Sequence, residues 1–315
     1  MHRRSKFIAA LLTTAAFLQA QAKSDDETTF RADTRLVVLH ASVADKNGRL
    51  MTQLPRSAFK VFENNVEQPI KMFRREDVPV SLGLVIDNSG SMRDKRRKVE
   101  TAALAAVQKS NPADEVVVVN FNDEAYDDSQ GFTNDIRRLE EALTKIDSRG
   151  PTAMRDALST TIDFVKKKGR HDKKVLLVVT DGNDTASTLV TLEKLVQKAH
   201  DSEVLLYFIG ILSDEDKREA KKAKRAMEAL AKASGGSAVF PETADEVQSI
   251  AVSMAHEIRN QYIITYSPTN PSLDGTFRTI RVVANGPNRP VVRTRSGYYA
   301  TPVGAGSSRE SAAVR

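Results

Sequence analysis

From Pro79 onward, the chain alternates between short apolar runs and longer stretches in which apolar residues recur every three or four positions. The first pattern predicts strands and the second predicts amphipathic helices. The predicted strands lie at 80–86, 116–119, 175–179, 204–211 and 237–240, and the predicted helices at 95–109, 134–146, 153–168, 188–201, 214–233 and 244–258. We therefore expect an α/β domain over residues 79–258, with a doubly wound, mostly parallel, Rossmann-like sheet covered by helices on both faces.

The segments on either side of this domain have a different character. Residues 34–78 and 259–300 contain short strand-like runs separated by turn sequences such as Asp45-Lys46-Asn47-Gly48. The runs lie at 36–43, 59–62, 70–73, 262–266, 277–283 and 291–294. Neither segment has enough strands for a comfortable sheet of its own. We therefore predict that the two segments pair into one additional antiparallel β domain, into which the α/β domain is inserted.

The first 22 residues have the layout of a signal peptide. Three basic residues precede an apolar stretch over 7–18, and Ala20-Gln21-Ala22 then supplies small residues for cleavage before Lys23. The alternative is an uncleaved anchor, but this stretch is shorter than the ~20 residues that a spanning helix needs. The expected location is therefore extracytoplasmic, either periplasmic or secreted. Residues 301–315 are small and polar, and we expect a disordered tail.

Composition narrows the possible chemistry. The chain of 315 residues has no Cys, which excludes disulfides, thiolate metal sites and thiol catalysis. Loss of residues 1–22 removes three basic residues and no acid, and it lowers the net charge from +6 to +3. The basic balance is therefore weak support for a nucleic-acid partner, and none is expected.

Five oxygen-bearing side chains follow predicted strands or precede predicted helices. Asp87, Ser89 and Ser91 lie in Asp-Asn-Ser-Gly-Ser, Thr152 in Gly-Pro-Thr, and Asp181 in Thr-Asp-Gly. Asp87 and Asp181 each close an apolar strand, and ligands of doubly wound sheets bind beyond that end. The set is a candidate metal site with only two charged donors. The alternative interpretation of Asp-x-Ser-x-Ser is a turn that caps the next helix.

These five positions closely resemble the metal-ion-dependent adhesion site of the von Willebrand factor type A (VWA) domain. Three flanking stretches, 59–64, 80–87 and 295–300, are similar to secreted bacterial VWFA-related domain proteins, so the resemblance covers about residues 34–300. It implies direct metal bonds from Ser89 and Ser91, largely water-mediated contacts from Asp87 and Asp181, and a direct or water-mediated contact from Thr152.

Hard oxygen donors with little charge favour Mg²⁺, with Mn²⁺ suited to the same ligands and Ca²⁺ less so. Such an ion stays electrophilic and can accept a carboxylate from an Asp or Glu of a partner protein. The expected function is thus a metal-dependent protein-binding module for adhesion or assembly.

An enzyme is the main alternative. A nucleophilic serine or a metal-activated water would be required. The sequence has no Gly-x-Ser-x-Gly elbow, no Gly-x-Gly-x-x-Gly and no P-loop pattern, and its histidines are dispersed. We therefore predict a non-enzyme. A structural module of a cell-envelope assembly, with a vestigial metal site, is the third possibility.

Three further features are left open. A basic cluster follows Ser91 and is either a solvated helix face or a positive collar that attracts acidic ligands; it comprises Arg93, Lys95, Arg96, Arg97 and Lys98. Asp156 and Asp184 either support the site or cap surface turns. The helix over 244–258 runs almost directly into the next strand, so a slide of this helix would act on the β domain, although rigid coupling is equally possible.

Overall fold

A computed structural model describes residues 36–302, except residues 76, 110, 146, 147, 183 and 214. The predicted signal peptide and nearly all of the predicted tail therefore lie outside the described residues. Among the helices of the described part, none is both long and apolar enough to cross a membrane.

Strands and helices follow the order that the sequence pattern predicts. In the described ranges the strands are β1 (Val37–Ala44), β2 (Phe59–Glu63), β3 (Val66–Gln68), β4 (Ile70–Arg74), β5 (Val80–Asp87), β6 (Glu115–Phe121), β7 (Ala125–Asp127), β8 (Lys173–Thr180), β9 (Val204–Gly210), β10 (Ala238–Val239), β11 (Tyr262–Tyr266), β12 (Phe277–Ala284), β13 (Val291–Arg293) and β14 (Gly297–Tyr299). The α-helices there are α1 (Arg96–Gln108), α2 (Ile136–Thr144), α3 (Met154–Lys168), α4 (Leu192–Ser202), α5 (Lys217–Ser234) and α6 (Val247–Arg259). Short 3₁₀ turns lie at Arg56–Ala58, Gly90–Met92 and Ala244–Glu246.

The central sheet has six strands in the order β10-β9-β8-β5-β6-β7. The first five strands in this order pair in parallel, and only β7 is antiparallel. β5 and β6 are buried along their whole length, as expected for strands covered on both faces. The chain passes from β5 to β6 on one side and later returns to β8 on the other. The predicted doubly wound, mostly parallel sheet is confirmed, and β5 and β8 are neighbours at the reversal.

Each face of this sheet packs against three helices. α1, α2 and α6 cover one face, and α3, α4 and α5 cover the other. Adjacent residues of β5 contribute to opposite cores, as with Leu84 and Val85, because side chains alternate along a strand.

The flanking segments form two further antiparallel sheets, in the orders β13-β1-β11-β4 and β14-β12-β2-β3. Each sheet combines strands from both segments: β1 pairs with β11, and β2 pairs with β12. The two sheets share one apolar core. The predicted additional β domain is therefore confirmed and consists of two sheets. β3 and β14, which were not predicted, lie at sheet edges and have three residues each.

Side-chain caps explain where two helices depart from the predicted limits. α4 begins at Leu192 because the Thr191 hydroxyl accepts a hydrogen bond from the Lys194 amide (3.4 Å), and α5 begins at Lys217 because the Asp216 carboxylate accepts one from the Arg218 amide (2.8 Å). The limits of the inserted domain at residues 79 and 258 remain a prediction.

Candidate metal site

The first loop of the candidate site leaves the carboxyl end of β5. Asp87 and Ser89 are both buried, whereas Ser91 is exposed in the 3₁₀ turn that follows. One oxygen of Asp87 accepts a hydrogen bond from the Ser89 amide (2.9 Å), and the other accepts one from the Thr180 hydroxyl (2.5 Å). The Asp87 side chain therefore fixes the start of its own loop and ties it to the end of β8.

The second loop begins at Asp181, directly after β8. The Ser91 hydroxyl donates to Asp181 Oδ1 (3.1 Å), and the Ser89 and Ser91 hydroxyl oxygens are 3.2 Å apart. Neighbouring parallel strands bring these loops to the same edge of the sheet. The structure thus brings together four of the five predicted residues in one hydrogen-bonded group.

The third loop carries Thr152, which is buried just before α3. The Gly90 amide donates to the carbonyl oxygen of Gly150 (3.2 Å), so this loop lies against the first one. Gly150 has a φ of +78°, a conformation that favours glycine. The Thr152 carbonyl accepts hydrogen bonds from the amides of Thr185 and Ala186 (2.9 Å each), which join it to the loop that follows Asp181.

Two asparagines that the sequence analysis did not single out hold the third loop in place. The Asn88 side chain accepts a hydrogen bond from the Ser148 amide (2.7 Å), and the Asn122 carbonyl accepts one from the Ala153 amide (2.5 Å). Asn88 lies inside the Asp-x-Ser-x-Ser motif, so its position in the sequence could have indicated that it contributes to the site. Asn122 follows β6, the strand beside β5, and only the strand order shows that it is near.

The electrostatics of the site favour a cation. Burial and the nearby Asp181 carboxylate raise the pKa of Asp87 to about 6, against the opposing effect of hydrogen bonds from Ser89 and Thr180. Two carboxylates close together in a buried setting repel each other. The donors are carboxylate and hydroxyl oxygens, which suit a small hard cation. The described residues contain no group of three or more His, Cys, Asp or Glu that could hold a metal, so a metal here depends on the hydroxyls.

Lys95 is buried, whereas the sequence analysis placed it with the rest of the basic cluster at the surface. Both alternatives for the cluster put it at the surface, as part of a solvated face or of a positive collar. Its side chain is instead buried, and Nζ lies 3.2 Å from Asp181 Oδ2. The ammonium group partly neutralises the candidate site from within. A basic residue four positions after Ser91 was visible in the sequence, but its orientation depends on how α1 packs.

Three other basic side chains of the cluster bond to nearby parts of the domain. The pairs are Arg93 with the Ser148 carbonyl (3.5 Å), Arg96 with Glu100 (2.7 Å) and Lys98 with Asp245 (2.8 Å). This arrangement favours the solvated-face interpretation over a collar directed at ligands.

Asp156 and Asp184 support neighbouring loops. Asp156 accepts hydrogen bonds from the amides of Thr188 (2.8 Å) and Val190 (2.9 Å), and Asp184 accepts bonds from the Arg155 amide (2.9 Å) and Nε (3.0 Å). Both carboxylates therefore fasten the loop after Asp181 to the start of α3. The contacts they make are those of loop-holding residues beside the candidate site.

The central region of the chain is similar to a known domain family. Residues 82–183 match the family model for the von Willebrand factor type A domain. A comparison of the sequence with curated proteins finds no match. A von Willebrand factor type A structure from Catenulispora acidiphila matches at 13% identity and a TM-score of 0.50, over 86% of this chain and 75% of that one.

A mussel protein has a similar fold. Proximal thread matrix protein 1 from the mussel byssus matches at 15% identity and a TM-score of 0.50, over 62% of this chain and 51% of its own. Another structure of it, described as having a zinc-occupied MIDAS motif, matches at 16% identity and a TM-score of 0.49, over 62% and 50%. The present chain thus spans about half the length of the mussel protein, and at such identities the likeness concerns the fold.

Proposed function

Because residues 82–183 form a von Willebrand factor type A domain, we propose that the protein is a metal-dependent binding module whose site comprises Asp87, Ser89, Ser91, Thr152 and Asp181. Domains of this family are generally interaction modules. The observation that carries the proposal is the hydrogen-bonded group of Asp87, both serines and Asp181 at the carboxyl edge of the sheet.

The proposed ion is Mg²⁺, with Mn²⁺ as a substitute and Ca²⁺ less suited. Mg²⁺ takes oxygen ligands, requires near-octahedral geometry and retains several waters. The two serine hydroxyls would bind the ion directly, and the two aspartates would act largely through those waters. Thr152 would approach from the third loop, which the Gly90–Gly150 hydrogen bond holds beside the serines.

The proposed ligand is a carboxylate from an Asp or Glu of a partner protein. Because the two aspartates act largely through waters, few anionic donors contact the ion directly, and it keeps affinity for another carboxylate. The exposed position of Ser91 supports access from solvent, while Asp87 and Ser89 lie beneath it. We place the protein among binding proteins rather than catalysts because domains of this family are generally interaction modules.

The proposed location is outside the cytoplasm, in the periplasm or secreted. Support comes from the basic, apolar and small-residue order of the first 22 residues. Adhesion or assembly at the cell envelope is the process that fits this location and an interaction module.

Binding of Mn²⁺ alone tests the metal site. Calorimetric titration of the full chain should show one saturable site, which Asp87→Ala abolishes. The matched control is Asp94→Ala, which removes an equal charge from an exposed position three residues after Ser91. Circular dichroism shows whether each variant is folded. Equal Mn²⁺ affinity in the two folded variants would refute the metal site.

The carboxylate ligand needs a separate readout. With Mn²⁺ bound, the metal's waters enhance proton relaxation of the solvent, and excess glutarate should reduce that enhancement by replacing a water. Relaxation that glutarate leaves unchanged, on a protein that binds Mn²⁺, would refute carboxylate capture while leaving the metal site intact.

A further inference from the structure

A cleft of about 610 Å³ lies far along the strands from the candidate metal site. It is bounded by the first residues of β8 and β9, whereas Asp181 follows the last residue of β8. Its other wall is the sheet that contains β1, β11 and β4. Ligand pockets commonly have volumes of about 300–1,000 Å³. The cleft is therefore large enough for a small organic molecule.

The sheet wall presents two rows of side chains, because residues paired across neighbouring strands point to the same face. The rows are Val38, Thr265 and Met72, and His40, Ile263 and Arg74. Residues that alternate with these, including Leu39 and Ile264, belong to the core on the opposite face. Each row thus combines apolar side chains with polar or basic ones on a surface that the β core does not use.

The opposing wall adds positive charge. Lys173 and Lys174 line it at the start of β8, and Arg295 lines it from the segment before β14. Lys173 and Arg295 are both buried. Arg295 lies 3.6 Å from Glu203, one of two carboxylates in the lining, the other being that of Asp172. With Arg74, four basic side chains line the cleft against two acidic ones. Burial lowers the pKa of Lys173 to about 8, and its Nζ donates to the Ile258 carbonyl. The excess of basic groups gives the cleft a potential that favours an anion.

Two polar atoms in the sheet wall have no hydrogen-bond partner among the described residues. They are Thr265 Oγ1, on a residue that is 2% exposed, and His40 Nδ1. Most buried polar atoms are satisfied, so each exception calls for an explanation. Burial, followed by the charges of Lys173 and Arg295, lowers the pKa of His40 to about 3, which agrees with a positive potential in the cleft. A ligand that hydrogen-bonds to these atoms would satisfy them.

We propose that this cleft is a binding site for a small amphiphilic organic anion, with a carboxylate head and a short hydrocarbon tail. The head lies beside Arg74 and the Thr265 hydroxyl, which supply charge and a hydrogen bond, and the buried Lys173 adds to the positive potential behind them. The tail lies along Val38, Met72 and Ile263. Arg74 is exposed and has no ion-pair partner within the described ranges, so its guanidinium is available to a ligand.

Octanoate is a suitable probe because it has both features. Calorimetric titration of the full chain is carried out in EDTA, so that a metal ion at the candidate site does not bind the carboxylate. Arg74→Met and Thr265→Val remove the proposed contacts while keeping side-chain volume similar. Arg49→Met is the matched control, since Arg49 is an exposed arginine outside the cleft lining. Octanol, which lacks the carboxylate, tests the contribution of the head, and inorganic phosphate, which lacks the hydrocarbon tail, tests the contribution of the tail.

We expect saturable octanoate binding that is about tenfold weaker in Arg74→Met, clearly weaker in Thr265→Val and unchanged in Arg49→Met, since hydrogen bonds to charged groups are the stronger class. Octanol and phosphate should each bind less tightly than octanoate. Absence of octanoate binding, equal affinity in the two arginine variants, or octanol or phosphate binding as tightly as octanoate would overturn the proposal. Asp87→Ala should retain octanoate binding, which separates this site from the metal site.

Discussion

Replacement of Lys95 by methionine should strengthen metal binding at the candidate site. Lys95 Nζ lies 3.2 Å from Asp181 Oδ2, and both side chains are nearly inaccessible to solvent. A cation entering the site must share Asp181 with this ammonium group and is also repelled by it. Methionine keeps an unbranched, similarly long side chain and removes the charge.

The geometry sets the size of the effect. Two unit charges at 3.2 Å attract each other by about 5 kcal/mol at an effective dielectric constant of about 20. If half of this attraction is lost when the metal binds, removing the Lys95 charge increases Mg²⁺ affinity by about 2.5 kcal/mol, or roughly seventyfold. The metal-free variant should also lose about 3 kcal/mol of stability, since Asp181 becomes a buried charge without this partner.

Calorimetry with Mg²⁺ at constant ionic strength measures the affinity, and urea unfolding in EDTA and in Mg²⁺ measures the stability. Lys98→Met is the matched control, because Lys98 carries the same charge but pairs with Asp245 at the surface. Metal should restore more stability to Lys95→Met than it adds to the wild type. Mg²⁺ affinity in Lys95→Met that is no greater than in Lys98→Met would refute the reasoning.

Two further predictions concern the β sheets. The folded-state pKa of His40 is lowered from 6.5 to about 3, so the unfolded chain binds more protons than the folded chain between these pH values. Stability therefore falls as the pH drops below about 6.5, by up to about 1.4 kcal/mol per pH unit. In urea unfolding, His40→Gln should lose less stability than the wild type between pH 7 and pH 5, and identical losses would contradict this. Tyr266→Phe should lower the free energy of unfolding by about 1.5–3 kcal/mol, because the Tyr266 hydroxyl donates to the buried Glu63 carboxylate of the other sheet (2.7 Å). Urea unfolding measures this loss, with Tyr126→Phe as the control at an exposed tyrosine. Equal stabilities of the two variants would count against the prediction.

The sequence determined the elements with long, regular patterns. Strands such as β6 and β8 have continuous β-branched or apolar runs, and α3 has apolar residues at helical spacing over 15 residues. Alternation of such elements restricts the chain to a parallel sheet with helices on both faces. Because ligands of such sheets lie beyond the carboxyl ends of the strands, the sequence also placed Asp87 and Asp181 at one edge.

Tertiary structure decided what local patterns do not contain. β3, β7 and β14 have three residues each, too few for a periodicity, and form only because a neighbouring strand offers hydrogen bonds. Lys95 is buried because the packing of α1 directs it at Asp181, although its neighbours in sequence are polar and solvated. The cleft between the sheets depends on residues from β1, β4, β8 and β11, which are up to about 230 positions apart. Local sequence fixes which face of a strand is apolar, whereas only the packing of distant segments fixes what that face meets.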